Sequence, residues 1–225
     1  MDRLRTTKSP GNTPEVIAAA LRQAILQGRL SSGQPLKQDQ IAEQLGVSKI
    51  PVREALVQLR AEGLIAFLPN RGFVVSELSP AEVEEIYLMR MALETRALER
   101  AIPGLRPADL IRAAGVLEIS AIEEDSARWS DLNWEFHSTL YQAARLPRLL
   151  GAIEVLHNNV ARYLTIYLGS LSARDASQNE HQKLLDSCRN QNAAAAVRIL
   201  QRHLSRASDR LVRFLTPNVT GEVKS

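Results

Sequence analysis

Residues Leu45 to Ile65, LGVSKIPVREALVQLRAEGLI, place a proline where helical periodicity is already under way. Inside a helix a proline costs about 3 kcal/mol, through a lost hydrogen bond and a clash with the preceding turn. That cost disappears if Ser48 is the N-cap, its hydroxyl taking the amide of Ile50. Pro51 then falls in the first turn, where backbone amides have no intrahelical partner. Behind it Val52, Leu56 and Leu59 share one face, suited to pack inward with Ile41 and Leu45, while Lys49, Arg53 and Arg60 share the other. The stretch is a short helix with a stiffened, basic start, and Gly63 stops it.

Upstream, Pro14 to Gln27 is periodic through Val16, Ile17, Ala20, Leu21, Ala24 and Ile25, and Gly28 ends it. LSSGQPL, with Gly33 and Pro35, is a turn, and Gln38 to Leu45 is a second short helix closed by Gly46. Downstream, the β-forming runs Leu64–Leu68 and Phe73–Val75 flank Pro69-Asn70-Arg71-Gly72, a hairpin signal. Three short helices and a hairpin describe a winged helix-turn-helix over residues 14–76, preceded by a polar, disordered arm (1–13). After a linker at 77–79 no further strand signal occurs. Helical segments are expected at about 80–101, 107–125, 129–144, 147–170, 174–190 and 193–214, followed by a tail at 216–225. The fold class is therefore mostly α: a winged helix-turn-helix followed by an antiparallel all-helical bundle of about six helices.

Composition narrows the chemistry. Residues 1–76 carry ten Lys/Arg against six Asp/Glu, and the remainder eighteen against nineteen, so the basic excess lies in the first third. That asymmetry suits a polyanion-binding module joined to a neutral one. No stretch approaches the roughly 18 uninterrupted apolar residues of a membrane span. One cysteine, Cys188, excludes an internal disulfide framework and fits a reducing cytoplasm. Phosphate-binding glycine loops, HExxH and paired CxxC motifs are missing from the sequence.

A helix that enters the DNA major groove does so N-terminus first, and its dipole favours nearby phosphate. The capped, basic start at Ser48–Arg53 fits that task. The run AILQGRLSSGQPL…IAEQLGVSKIPVREALVQLRAEGLIAFLPNRGFVV resembles the winged-helix domain of the GntR family of bacterial transcription regulators, over about Val16 to Ser76. The resemblance implies operator DNA as partner, met by Ser48, Lys49, Ile50, Pro51 and Arg53 and by the wing residues Asn70, Arg71 and Gly72. Lys49 stands where arginine is usual, keeping the charge without the bidentate fork. Ile50 stands where threonine is usual and offers an apolar contact to a thymine methyl. Arg53 suits base readout, since guanidinium to guanine is the commonest specific pairing; the plain alternative is a solvated surface arginine.

The second half holds four histidines, His137, His157, His181 and His203. Asn133 and His137 lie i, i+4 and point the same way, and imidazoles from three helices can converge on a transition metal; a lone histidine is more often simply a core or surface residue. LNWEFHSTLYQAARLPRLL, EHQKLLDSCRNQNAAAAVRILQRHL and IYLMRMALETRAL resemble the all-helical FCD effector domain of the FadR-type GntR subfamily, over about Glu82 to Phe214. The resemblance implies a divalent metal held by His137, His181, His203 and, at a position where aspartate is usual, Asn133. Zinc or nickel suits three nitrogens better than manganese. Glu154-x-x-His157 has the spacing of a di-iron bundle, but the required second pair is absent, so His157 is read as a core or surface histidine.

Arg90, on a segment with an expected inward stripe of Ile86, Met89, Leu93 and Ala97, and Arg162, on a mostly apolar helix, are candidates to bind a carboxylate effector. Arg90 can equally pair with Glu94 at i, i+4, and both are carried as candidate effector residues. The resemblance implies a small organic acid as effector and a two-fold homodimer as the working form. The alternative is a metal-dependent enzyme, or a metal sensor, using DNA as a tether. Glu135 and Glu180 are the only acids near enough in sequence to serve it as a base.

Overall fold

The computed structural model describes residues 13–167 and 171–216, without the side chains of 162, 164–167 and 171–173; the chain divides into two compact units, one ending at Glu77 and the other starting at Leu78. The expected arm up to residue 12 and the tail from 217 lie outside the described residues.

The first unit contains α1 (Pro14–Leu26), α2 (Gln38–Leu45), α3 (Lys49–Ala61), β1 (Ile65–Leu68) and β2 (Gly72–Val75). Gly46, at φ 65°, ends α2 in the left-handed conformation that glycine tolerates at least cost. Ile17, Leu21 and Ile25 of α1 meet Val52, Leu56 and Leu59 of α3 in one core. Each such fully buried side chain contributes about 1.5–3 kcal/mol. Arg22 makes a two-pronged ion pair with Glu62 (2.7 and 2.6 Å), tying α1 to the end of α3. The hairpin pairs Ile65 with Val75 and Leu68 with Gly72, and Asn70 (φ 63°) and Gly72 (φ 72°) turn it.

The segment expected as a plain turn does more than turn. Leu36 N–H donates to the Phe73 carbonyl (2.8 Å), Gly33 N–H to Val75 (2.9 Å), and Val75 N–H to Gln34 (3.0 Å), which ties this segment along the β2 edge of the two-stranded wing. Pro35 bridges Val74 at this edge, where a residue without an N–H does least harm.

The second unit is a bundle of α4 (Pro80–Ala101), α5 (Pro107–Ile122), α6 (Ser126–Gln142), α7 (Pro147–Tyr167), α8 (Leu171–Arg189) and α9 (Ala193–Leu215), with one 3₁₀ turn, Ile102–Gly104, after α4. Ser79 and Glu82 form a complete capping box that starts α4. The α5–α6 break falls at 123–125, earlier than expected, because the Asp125 carboxylate takes the amides of Ala127 (2.7 Å) and Arg128 (3.0 Å). α8 likewise starts at Leu171 and not at 174. Along α4, Met89 is 40% exposed and leaves the expected inward stripe. The buried face is instead Val83, Ile86, Tyr87, Arg90, Glu94 and Ala97, with two charged residues in its middle.

Candidate functional site

The outward face of α3 presents Lys49, Ile50, Arg53 and Arg60 to solvent, opposite the buried Val52, Leu56 and Leu59. Ile50 is an exposed apolar residue on this face, at 70% exposure. Lys49 pairs with Asp39 of α2 at 2.9 Å, a partner that sequence reasoning missed. Ser48 occupies the N-cap with φ −71° and ψ 164°, but the expected cap bond from its hydroxyl does not form. The third amide of the helix, a preferred partner of a serine cap, belongs to Pro51 and does not exist. The Ser48 hydroxyl is thus left at the exposed tip. Asn70 and Arg71 stand exposed at the end of the wing, beside the half-buried Gly72.

In the helical unit His137 of α6, His181 of α8 and His203 of α9 converge, all buried, with donor atoms within 4.8 Å of one another. Each is oriented from behind. Arg90 Nε donates to Glu94 Oε1 (2.6 Å), and Tyr141 O–H donates to Glu94 Oε2 (2.8 Å). With its O–H directed at Glu94, the Tyr141 oxygen faces His137 Nδ1 at 3.3 Å as an acceptor. Gln178 spends its amide N–H groups on the Leu117 carbonyl (3.0 Å) and Ser120 Oγ (2.8 Å), so its oxygen faces His181 Nδ1 at 3.4 Å. His203 Nδ1 donates to Glu180 Oε2 (2.9 Å), and Arg206 holds the other Glu180 oxygen.

His137 and His181 therefore carry the proton on Nδ1 and turn Nε2 toward each other, while His203 gives its Nδ1–H to Glu180. His137 Nε2 and His181 Nε2 stand 3.1 Å apart, lone pair to lone pair. Two nitrogens about 2.0–2.1 Å from one ion, at the angles of tetrahedral or octahedral geometry, lie roughly 2.9–3.4 Å apart. The donor set fits a divalent transition metal.

Electrostatics agree. Burial, reinforced by His181, His203 and Arg90, holds His137 well below the ordinary imidazole range; burial and His203 do the same to His181. Both are neutral and ready to ligate. Burial pushes the Glu180 carboxyl up, but His203 and Arg206 outweigh it and leave it at about 2. Asn133, one turn before His137, leaves its Oδ1 buried without a hydrogen-bond partner among the described residues, as a fourth ligand oxygen would be.

Beside the triad lies a narrow cleft of about 40 Å³, lined by Arg90, Trp129, Asn133, Ser177, Glu180 and His203 among others. Arg90 spends its Nε on Glu94, as the plainer reading allowed, and still lines this cleft. Glu94 does not reach it: both oxygens are taken by Arg90 and Tyr141, so it orients the site from behind. Arg162 lies on α7, and its side chain falls outside the described residues. His157 is buried and stacked on Trp134 at 4.4 Å, apart from the triad. Glu135 is exposed, and Glu180 is committed to His203 and Arg206, so neither is poised as a base. Burial pushes the Cys188 thiol up to about 12, which leaves it an inert core residue.

The residues missed were Tyr141, Gln178 and Trp129. Tyr141 follows His137 by one turn and Trp129 precedes Asn133 by one turn, so both sat on a face already singled out.

Comparison with known proteins covers both units. Residues 13–75 match the family "Bacterial regulatory proteins, gntR family", and residues 85–206 match the "FCD domain". The chain is 36% identical over 131 residues to an uncharacterized HTH-type transcriptional regulator from the TAR-I ttuE-ttuC' intergenic region of Agrobacterium vitis, covering 56% of this chain and 77% of that protein. It is 26% identical to the HTH-type transcriptional repressor RspR of Escherichia coli, covering 84% of each chain. The solved structure of E. coli McbR/YncC superimposes with a TM-score of 0.79 at 23% identity, over 90% of this chain and 98% of that one, and shares the fold.

Proposed function

The chain belongs to the GntR family of bacterial regulatory proteins and carries an FCD domain, and from that premise we propose a ligand-controlled regulator, in which a small organic acid bound beside a metal ion in the helical unit sets the affinity for operator DNA. The family makes it a DNA-binding transcription regulator and not an enzyme. One observation carries the finer reading: three buried imidazoles converge on one point, His137 and His181 held neutral, beside a cleft that Arg90 lines.

The ion supplies positive charge and open coordination positions. Around it this chain's residues contribute little net charge. Asn133 is neutral, and the two nearby carboxylates, Glu94 and Glu180, are each already paired with an arginine. Arg210, which also lines the cleft, forms no ion pair among the described residues. A carboxylate ligand therefore supplies the anion that the protein withholds, and acid and metal bind with positive coupling. Ser48, Lys49, Ile50, Pro51 and Arg53 meet the major groove, while Asn70, Arg71 and Gly72 meet the backbone or minor groove. The working form is a cytoplasmic homodimer on a pseudo-palindrome, and the ligand acts by favouring one arrangement of the two reading heads over another.

Elemental analysis of the purified full chain, with titration of a panel of small organic acids into metal-loaded and metal-stripped protein and gel shifts on DNA upstream of its own gene, tests this. Zinc or nickel is expected near one per chain, together with an acid that binds the loaded form more tightly and shifts the DNA affinity. DNA binding that responds to metal alone, with no acid bound, would make the protein a metal sensor instead. A protein that takes up no zinc, nickel or manganese at micromolar excess would overturn the metal reading.

A further inference from the structure

Trp129, Asn133 and His137 follow one another at i, i+4 and i+8 along α6, so a single stripe of that helix runs from the histidine cluster into the cleft. Asn133 Oδ1 has an evident use as the fourth ligand to the metal. The indole of Trp129 has none. It lines the cleft, is 1% exposed, and keeps its Nε1–H buried without an acceptor among the described residues. An indole N–H is a donor only, and a buried donor is nearly always paired. Its position is also held firmly. The Arg174 guanidinium lies 5.9 Å from the ring centroid and is itself pinned by the Glu123 and Glu124 carbonyls and the Ser126 hydroxyl.

Resting on the acid-sensing reading above, we infer that Trp129 selects the effector: its indole N–H donates to a hydroxyl or oxo oxygen that the acid carries in addition to its carboxylate. Arg90, with its remaining guanidinium nitrogens, and Arg210 take the carboxylate end. The ligand class is then short hydroxy or oxo acids, in preference to plain carboxylic acids of the same length. The small cleft favours a skeleton of few carbons. A plain acid leaves the indole N–H unpaired inside the closed site, and a site built to hydrogen-bond a ligand oxygen rejects the analogue that lacks it.

The test is calorimetric titration of the metal-loaded full chain with two matched sets: propionate, lactate and pyruvate, then succinate and malate. Wild type is expected to bind at least one oxygenated member about tenfold or more tighter than its plain counterpart. Trp129→Phe keeps the ring and removes the N–H. It should bring the members of each set within about twofold, by weakening the oxygenated acids and leaving the plain ones unchanged. Should that variant fold poorly, the indole ¹⁵N–¹H signals of the wild-type protein answer the same question. The Trp129 signal, assigned with Trp134→Phe, should move downfield with lactate or malate and stay in place with propionate or succinate. Equal affinities within each wild-type set, a preference that survives in Trp129→Phe, or an unmoved indole signal would overturn the assignment and leave acid sensing standing. Binding of none of the five acids would overturn both.

Discussion

Replacing Tyr141 by phenylalanine removes one oxygen from the interior and breaks two hydrogen bonds. Glu94 Oε2 loses the O–H that donates to it at 2.8 Å, and His137 Nδ1–H loses its acceptor at 3.3 Å. Glu94 is 0% exposed and His137 is buried, so water does not replace the lost partners. A buried polar group left unsatisfied costs about 1–3 kcal/mol, more when charged, which puts the sum at roughly 2–5 kcal/mol. The phenol is protonated at any physiological pH, because burial and Glu94 push it well above its ordinary value, so the O–H is present to be lost. In a protein of this size about 2–4 °C of melting temperature accompany each kcal/mol, so a fall of roughly 5–15 °C is expected by calorimetry of the metal-free protein. Freed from Tyr141, His137 can take the wrong tautomer, and metal affinity measured against a chelating indicator should fall about 10–100-fold. Glu94→Gln should cost more, about 3–5 kcal/mol, because it strands Arg90. The double variant should fall short of the sum of the two, since both changes break the same chain of bonds. A Tyr141→Phe protein that melts within 1 °C of wild type and binds metal equally well would refute the proposed orientation of His137.

Three further outcomes are expected. Arg53→Ala should weaken specific operator binding by about 1–3 kcal/mol with little effect on scrambled DNA, whereas Arg71→Ala should weaken both; gel shifts at two salt concentrations distinguish them, and an equal loss for Arg53→Ala would remove it from base readout. Asn133→Asp should tighten metal binding and reduce the coupling to acid, while His157→Ala should leave elemental metal content unchanged, because His157 stacks on Trp134 outside the triad. The metal-free protein should lose stability as pH falls below about 6.5. His137, His157 and His181 are held well below their unfolded values, so the unfolded chain binds protons that the folded one refuses. Each contributes up to about 1.4 kcal/mol per pH unit in that range, and urea titrations giving flat stability from pH 8 to 5.5 would contradict the burial of neutral imidazoles.

The local order of this chain is written in its spacing. Apolar residues recurring at 3.6 fix which side of α3 turns inward, so Lys49 and Arg53 had to face out whatever the rest of the chain did. Pro51 and Gly63 bounded that helix, and Pro69 to Gly72 announced the hairpin, because proline fixes φ while glycine admits the positive φ found at Gly63 and Gly72. Asn133 and His137 were bound to share a face for the same reason. Resemblance to a known family then picked out His137, His181 and His203, which spacing alone could not separate from His157. That their rings meet depends on how α6, α8 and α9 are rotated and packed, and no local rule sets those angles. The same holds for the groups behind them: Tyr141 serves His137 only because Glu94, 47 residues away in sequence, accepts its O–H. Ser48 takes the backbone geometry of an N-cap, as its position before the helix required, but the side-chain bond to the Ile50 amide does not form. Met89 is a different case. An apolar residue beside a buried face follows the pattern of a core position, and only the packing of the neighbouring helices decided that Arg90, with Glu94 to neutralise it, would be the one enclosed.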